Sequence, residues 1–284
     1  MASTVVANVV SGFSLTNRWL LYTSLMLTPA QALSGIGNHC PSNIGFLAYN
    51  WWQQYTWFAA AKKRELHALS LLPVYLNMLY SVTYLGGIPA GNLPMGLLLG
   101  LGTAGLIIMN TVTAWISLKT NLPEGDGVYQ FFFFGWRVLS KGWRKFFLVW
   151  EIFDTITVAS AVVGSIAMGI SIPLTIKLVD QDKAWFRWAR DTAVFWGSAF
   201  MLFATWPFIL WMELIVKRNN IVSETDMIAV WLFVAQVAAM VLPSLFSVGT
   251  TCWTLFPCNY TMITSSYEVF KHSGFIEKPT HGQQ

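Results

Sequence analysis

The apolar run from Val149 to Leu174, VWEIFDTITVASAVVGSIAMGISIPL, restricts this chain more than any other stretch. At ~1.5 Å of rise per residue it makes a helix of roughly 39 Å, longer than the roughly 30 Å hydrocarbon core of a bilayer. It carries Glu151 and Asp154 three positions apart, and so on one helix face. Ionisable groups at such depth turn toward the bundle interior or a watered cavity. Ala161, Ser165 and Gly169 recur every four residues, a stripe along which another helix can approach closely.

Runs of about twenty apolar residues recur along the chain. With 55% hydrophobic and 11% charged residues and a mean hydropathy of +0.53, no soluble domain of any size fits between them. The expected fold is all-α: a polytopic integral membrane helical bundle of about seven transmembrane helices, forming one domain over residues 1–284. The spans run from Trp19 to Ile36, Asn43 to Ala61, His67 to Gly87, Met95 to Ser117, Val149 to Leu174, Thr192 to Val216 and Met227 to Val248. Asn43 to Ala61, with Asn50, Gln53 and Gln54 in its middle, either crosses or lies in the interface, which would leave six spans. Trp19 to Ile36 also resembles a signal peptide, with Ala30-Gln31-Ala32 as a cleavage site, and is read as a retained helix.

Gly86 to Pro94 reads as a tight connection, and Gly96, Gly100, Gly102 and Gly105 after it suit close helix contact, within the bundle or in an oligomer. The loop from Leu118 to Lys145 is expected to hold an amphipathic interfacial helix, VYQFFFFGWRVL. Its aromatic rings would enter lipid while Arg137, Lys141, Arg144 and Lys145 meet headgroups. Residues 258–284 form a short polar tail.

Seven spans put eleven Lys and Arg side chains on one side and six on the other. The richer side is expected to be cytoplasmic, with the N-terminus inside and the C-terminus outside. Cys40, Cys258 and the Asn259-Tyr260-Thr261 sequon then share the outer side, where a Cys40 to Cys258 bridge is an option. The net charge of +4 comes from these short loops, so lipid headgroups rather than nucleic acid are the partner it implies.

Measured from the cytoplasmic helix ends, Asp154, Asn110, Gln53, Asn77 and Gln236 lie roughly 10–15 Å deep, and Glu151 and Glu213 within about 8 Å. The outer half holds little beyond Ser and Thr, so a cavity opening toward the cytoplasm or inner leaflet is expected. For any single Asn or Gln, hydrogen bonding between helices is the favoured use. Glu151 has Arg144 and Lys145 within reach, and Glu213 has Lys217 one turn away. Trp150 belongs to a set of in-span tryptophans, with Trp51, Trp52, Trp57, Trp196, Trp206, Trp211 and Trp231, some of which would line a pocket for a cation.

His39, His67, His272 and His281 fall at helix ends or in tails, which argues against haem or zinc in the membrane. There is no DDxxD pair for magnesium diphosphate chemistry and no serine elbow, and no cofactor is expected. What remains is a sheltered acid: desolvation favours the neutral form of a carboxyl, which then protonates an epoxide or alkene. Asp154 and Glu151 are the candidate catalytic groups, and Asn110, Asn77, Gln53, Gln236, Glu213 and Trp150 the candidate pocket.

Small size, about seven helices, inward carboxylates (Glu151, Asp154 and Glu213) and aromatic-rich spans resemble the membrane-bound terpene cyclases of fungal meroterpenoid pathways. The resemblance implies metal-free cyclisation of a prenylated, lipophilic substrate in the endoplasmic reticulum or another endomembrane. It lies in architecture, and no motif residue is carried over. The rival classes are a small transporter or channel and a non-catalytic membrane subunit.

Overall fold

The computed structural model describes residues 7–34, 40–86, 88, 93–178 and 184–246. Seven substantial helices follow one another: α1 (Leu15–Ser34), α2 (Cys40–Lys63), α3 (Leu71–Leu85, entered through a 3-10 turn at His67–Ser70), α4 (Leu93–Ile116), α6 (Lys141–Leu178), α7 (Ala184–Arg218) and α8 (Met227–Phe246). Between α4 and α6 come a π-helical stretch (Ser117–Asn121), the single turn α5 (Leu122–Glu124) and a hairpin of β2 (Gln130–Phe132) and β3 (Trp136–Val138). Two-residue strands β1 (Ala7–Asn8) and β4 (Ile221–Val222) pair in parallel. Four of the helical stretches, those built on α3, α4, α6 and α7, are long and apolar enough to cross a membrane.

Helices α6, α4, α2, α8, α1 and α7 pack in that circular order, and α3 stands inside the ring against α4, α6 and α7. Of the residues in the apolar stretch of α3, 78% are buried, against 17% for α6 and 22% for α7. That contrast marks α3 as the axis and α6 and α7 as outer helices whose other faces are apolar, as bilayer exposure requires.

The glycines explain how α4 sits between two neighbours. A Cβ on Gly96 would collide with the Gly169 carbonyl of α6, and one on Gly100 would stand 2.8 Å from the Ser165 carbonyl. The Ala161, Ser165 and Gly169 stripe therefore meets glycine on glycine, as its spacing predicts. Gly102 and Gly105 serve the opposite face, where Leu47 and Trp51 of α2 take the room a side chain would need. Trp51 Nε1 donates to the Gly102 carbonyl at 3.0 Å, fastening the contact. Helix α2 thus packs as a bundle member between α4 and α8, with Asn50, Gln53 and Gln54 all buried.

The expected amphipathic helix in 118–145 is not formed. In its place is the β2–β3 hairpin, with Phe132 opposite Trp136 and a three-residue loop whose Gly135 takes φ +139°, a region L side chains rarely adopt. Aromatic residues favour strands, and burial follows a period of two: Phe131 buried, Phe132 exposed, Phe133 half-buried, Phe134 93% exposed. The run Lys141–Leu148 belongs instead to α6, which begins two turns before Val149.

Connections gather at one end of the bundle. Gly12 N–H donates to the Glu224 carbonyl, Asn121 Nδ2 to the Ala61 carbonyl, and Asn219 Nδ2 to the Gln130 carbonyl, so the N-terminal segment, the α2–α3 turn, the α4–α6 segment and the α7–α8 turn form one layer. Arg64 pairs with Glu124 at 2.7 Å, and Arg144 grips Asp126 through two bonds of 2.8 and 2.7 Å, so Arg144 is committed within the protein rather than to a headgroup. Residues 258–284, with Cys258 and the sequon, lie outside the described residues.

Candidate functional site

On α6, Glu151 and Asp154 turn inward together, as their spacing requires, and both are buried, Asp154 at 7% exposure. They meet polar side chains of α3 and α4. Asn110 Nδ2 donates to Asn77 Oδ1 at 2.6 Å, which orients the Asn77 amide so that its Nδ2 donates to Glu151 Oε1 at 3.2 Å. Thr111 Oγ1 lies 3.2 Å from the same Asn77 oxygen. Asp154 sits beside Asn77 and the Met78 backbone. Four predicted residues, Asn77, Asn110, Glu151 and Asp154, are therefore one constellation contributed by three helices.

Its electrostatics are unusual for a buried pair of acids. Glu151 Oε2 and Asp154 Oδ2 are buried without a hydrogen-bond partner, and no ion pair to either is formed among the described residues. The expected pairing of Glu151 with Arg144 or Lys145 is not made: Arg144 is taken by Asp126, and Asn77 is the group that reaches Glu151. A turn toward the connected end, Tyr75 packs against Phe147 of α6 at 4.9 Å and Trp211 of α7 at 3.9 Å between ring centroids. Trp115 Nε1 donates to Thr155 Oγ1 at 3.0 Å and holds α4 to α6 beside the pair.

The remaining candidates lie elsewhere. Gln53 donates to the Tyr49 hydroxyl at 3.3 Å. Gln236 is buried where α8 crosses Gly45 of α2, so both belong to the α2–α8 side of the ring. Glu213 is not paired with Lys217. Arg18 of α1 binds it through Nε at 2.7 Å and Nη2 at 3.2 Å, and the Tyr22 hydroxyl donates to it at 2.6 Å, an α1–α7 clasp. Trp150 is 44% exposed on the outer side of α6.

Of the other in-span tryptophans, Trp196, Trp206 and Trp231 are exposed, while Trp57 is buried against Phe13 and Trp52 donates to Asp226 at 2.6 Å. Trp211 alone of that set reaches the neighbourhood of the acids. Tyr75, Thr111, Trp115 and Phe147 went unnamed in the sequence reading, since nothing in an apolar run says which ring faces a carboxyl on another helix. Among the described residues no group of three or more His, Cys, Asp and Glu gathers to hold a metal ion. Comparison with models of protein families, with curated proteins and with solved structures gave no match.

Proposed function

We propose that this is an integral membrane enzyme that cyclises or isomerises a lipophilic, prenylated substrate by proton transfer from a sheltered carboxyl, without a cofactor. One observation carries the reading: two inward acids, Glu151 and Asp154, each with a buried oxygen left free and, among the described residues, no cation paired with it. As mere glue between helices an acid is a poor choice, because its charge is costly in hydrocarbon and an amide bonds as well. A protonated carboxyl is a donor, and its free oxygen marks where an acceptor on a ligand fits.

The step balances within the substrate. Asp154 gives its proton to an epoxide oxygen, the C–O bond breaks as an alkene forms the new C–C bond, and the resulting cation loses a proton to a carboxylate of the pair. Glu151, steadied by Asn77, keeps the second carboxyl in place. Product and substrate then have the same mass. The Tyr75, Phe147 and Trp211 rings offer faces to a developing cation.

In this reading the layer of connections carrying Lys62, Lys63, Arg64, Lys119, Arg137, Lys141, Arg144, Lys145, Lys217 and Arg218 faces the cytoplasm. Its excess of positive charge supports that orientation, with an endoplasmic-reticulum or other endomembrane location. The test is to present membranes bearing the protein with an epoxyfarnesyl-substituted phenol and look for a new chromatographic species of unchanged mass. Conversion lost in Asp154→Asn is expected. Full activity in that variant removes Asp154 from the mechanism, and robust solute or ion flux in liposomes with no conversion would favour a transporter.

A further inference from the structure

Among the described residues the ring of outer helices does not close between α6 and α7. Helices α6 and α7 follow each other in the chain, yet among the described residues they are not a packed pair, while each packs against other members of the bundle. What lies behind the opening is α3. Its Tyr75, Met78 and Val82, at i, i+3 and i+7, form one stripe. At Tyr75 the stripe is roofed by Phe147 and Trp211 and backed by Phe131 of the hairpin. One and two turns further along, Met78 is 50% and Val82 38% exposed, although they belong to the most buried of the spanning helices.

Exposure on an axial helix means that its neighbours have parted. Pro207 lies within α7, where it has no N–H to donate and crowds the Phe203 carbonyl, a place where helices tend to bend. From there α7 shows Phe203 and Phe200 outward, and α6 shows Phe153 and Ile156. The exposed stripe of α3 thus lies between two helices whose outer faces are apolar. It runs about 15 Å from Tyr75 to the end of α3 at 1.5 Å per residue. Asp154 packs beside the Met78 backbone just beneath this stripe, its Oδ2 buried and unpaired.

We propose that this cleft binds the hydrocarbon chain of a neutral, oxygen-bearing lipophile that arrives sideways from the bilayer. The chain lies over Met78 and Val82 and the oxygen meets Asp154. The polarity selects the occupant. An unpaired carboxyl oxygen beside an apolar floor suits an alcohol, carbonyl or epoxide, and with no basic side chain among the described residues paired with the acids an anionic headgroup gains nothing there. Methionine at the floor adapts to an irregular chain. The inference deepens the enzymatic reading by naming the route and class of its substrate, and binding is measured without turnover so that each fails separately.

The experiment is photolabelling of the full chain in membranes with a diazirine analogue of a sesquiterpene alcohol, mapped by peptide mass spectrometry. Label is expected on the Tyr75–Leu85 and Asp154–Val162 segments, displaced by unlabelled farnesol. Val82→Trp should lower it about ten-fold, equivalent to ~1.4 kcal/mol. Ile108→Trp, at an exposed apolar site on α4, should leave it unchanged. Labelling indifferent to Val82→Trp in a variant that melts like the parent overturns the proposal. Equal labelling by a diazirine phosphatidylcholine that farnesol does not displace also overturns it, showing annular lipid, and so does cross-linking of a second copy through the Met78 segment.

Discussion

Replacing Gly100 by alanine tests the α4–α6 contact on which the acid pair depends. A Cβ there would stand 2.8 Å from the Ser165 carbonyl and 3.2 Å from Gly169 Cα, both backbone atoms of the facing helix that have no rotamer to escape through. Ordinary contact begins near 3.4 Å, so α6 must withdraw by about 0.6 Å along a close-packed seam, an overpacking cost of roughly 1–3 kcal/mol. Against this, Gly to Ala within a helix returns about 0.5–1 kcal/mol of propensity.

The net loss is roughly 0–2.5 kcal/mol, and against Gly164→Ala, which takes the propensity gain without the clash, the full ~1–3 kcal/mol should appear as about 2–12 °C in Tm at roughly 2–4 °C per kcal/mol. Tryptophan fluorescence during heating in detergent reads it directly. Gly164 and Gly197, with no heavy atom within 4 Å of a built Cβ, are the internal controls, and Gly164→Ala should hold or raise Tm. If Gly100→Ala melts with Gly164→Ala, the helices are not in contact through glycine and the packing account is refuted. Withdrawal of α6 also lengthens the 3.2 Å Asn77 to Glu151 bond, so the proposed turnover should fall in the same variant.

Two further outcomes follow from the hydrogen bonds. Asn77→Ala strips partners from Asn110 and Glu151 together, and at about 1–3 kcal/mol per orphaned buried group should cost more than Thr111→Val, measured as loss of Tm in the same detergent. In a double-mutant cycle Arg18→Met with Glu213→Gln should show a coupling of about 1–3 kcal/mol in unfolding, whereas Lys217→Met with Glu213→Gln should show none, because the two-bond contact is made by Arg18.

How much of this was legible in the chain differs by element. The long apolar runs announce helices because backbone groups in hydrocarbon have no partner but each other, and the observed bounds of α4 and α8 stay within a few residues of the runs. The inward turn of Glu151 and Asp154 was equally readable, since helical spacing and the expense of a lipid-facing acid leave one side for both. Partners were not readable. Glu213 has Lys217 close in sequence, but Arg18, far away in the chain, offers a two-pronged fit that a neighbour on the same helix does not.

The hairpin at Gln130 to Val138 misled for a related reason. A run of aromatics beside basic residues fits an interfacial helix and a short strand alike until its period is seen against a core, and here Phe131 reaches Tyr75 and Phe147 while Phe132 and Phe134 turn away. From its sequence alone, then, this protein is a helical membrane chain with a pair of inward acids and a glycine-lined helix, because those features follow from solvation and local periodicity. Which helix became the axis, which amide met Glu151, and where the ring stands open to Met78 and Val82 were decided by tertiary packing, since each depends on side chains from separate helices competing for the same few ångströms.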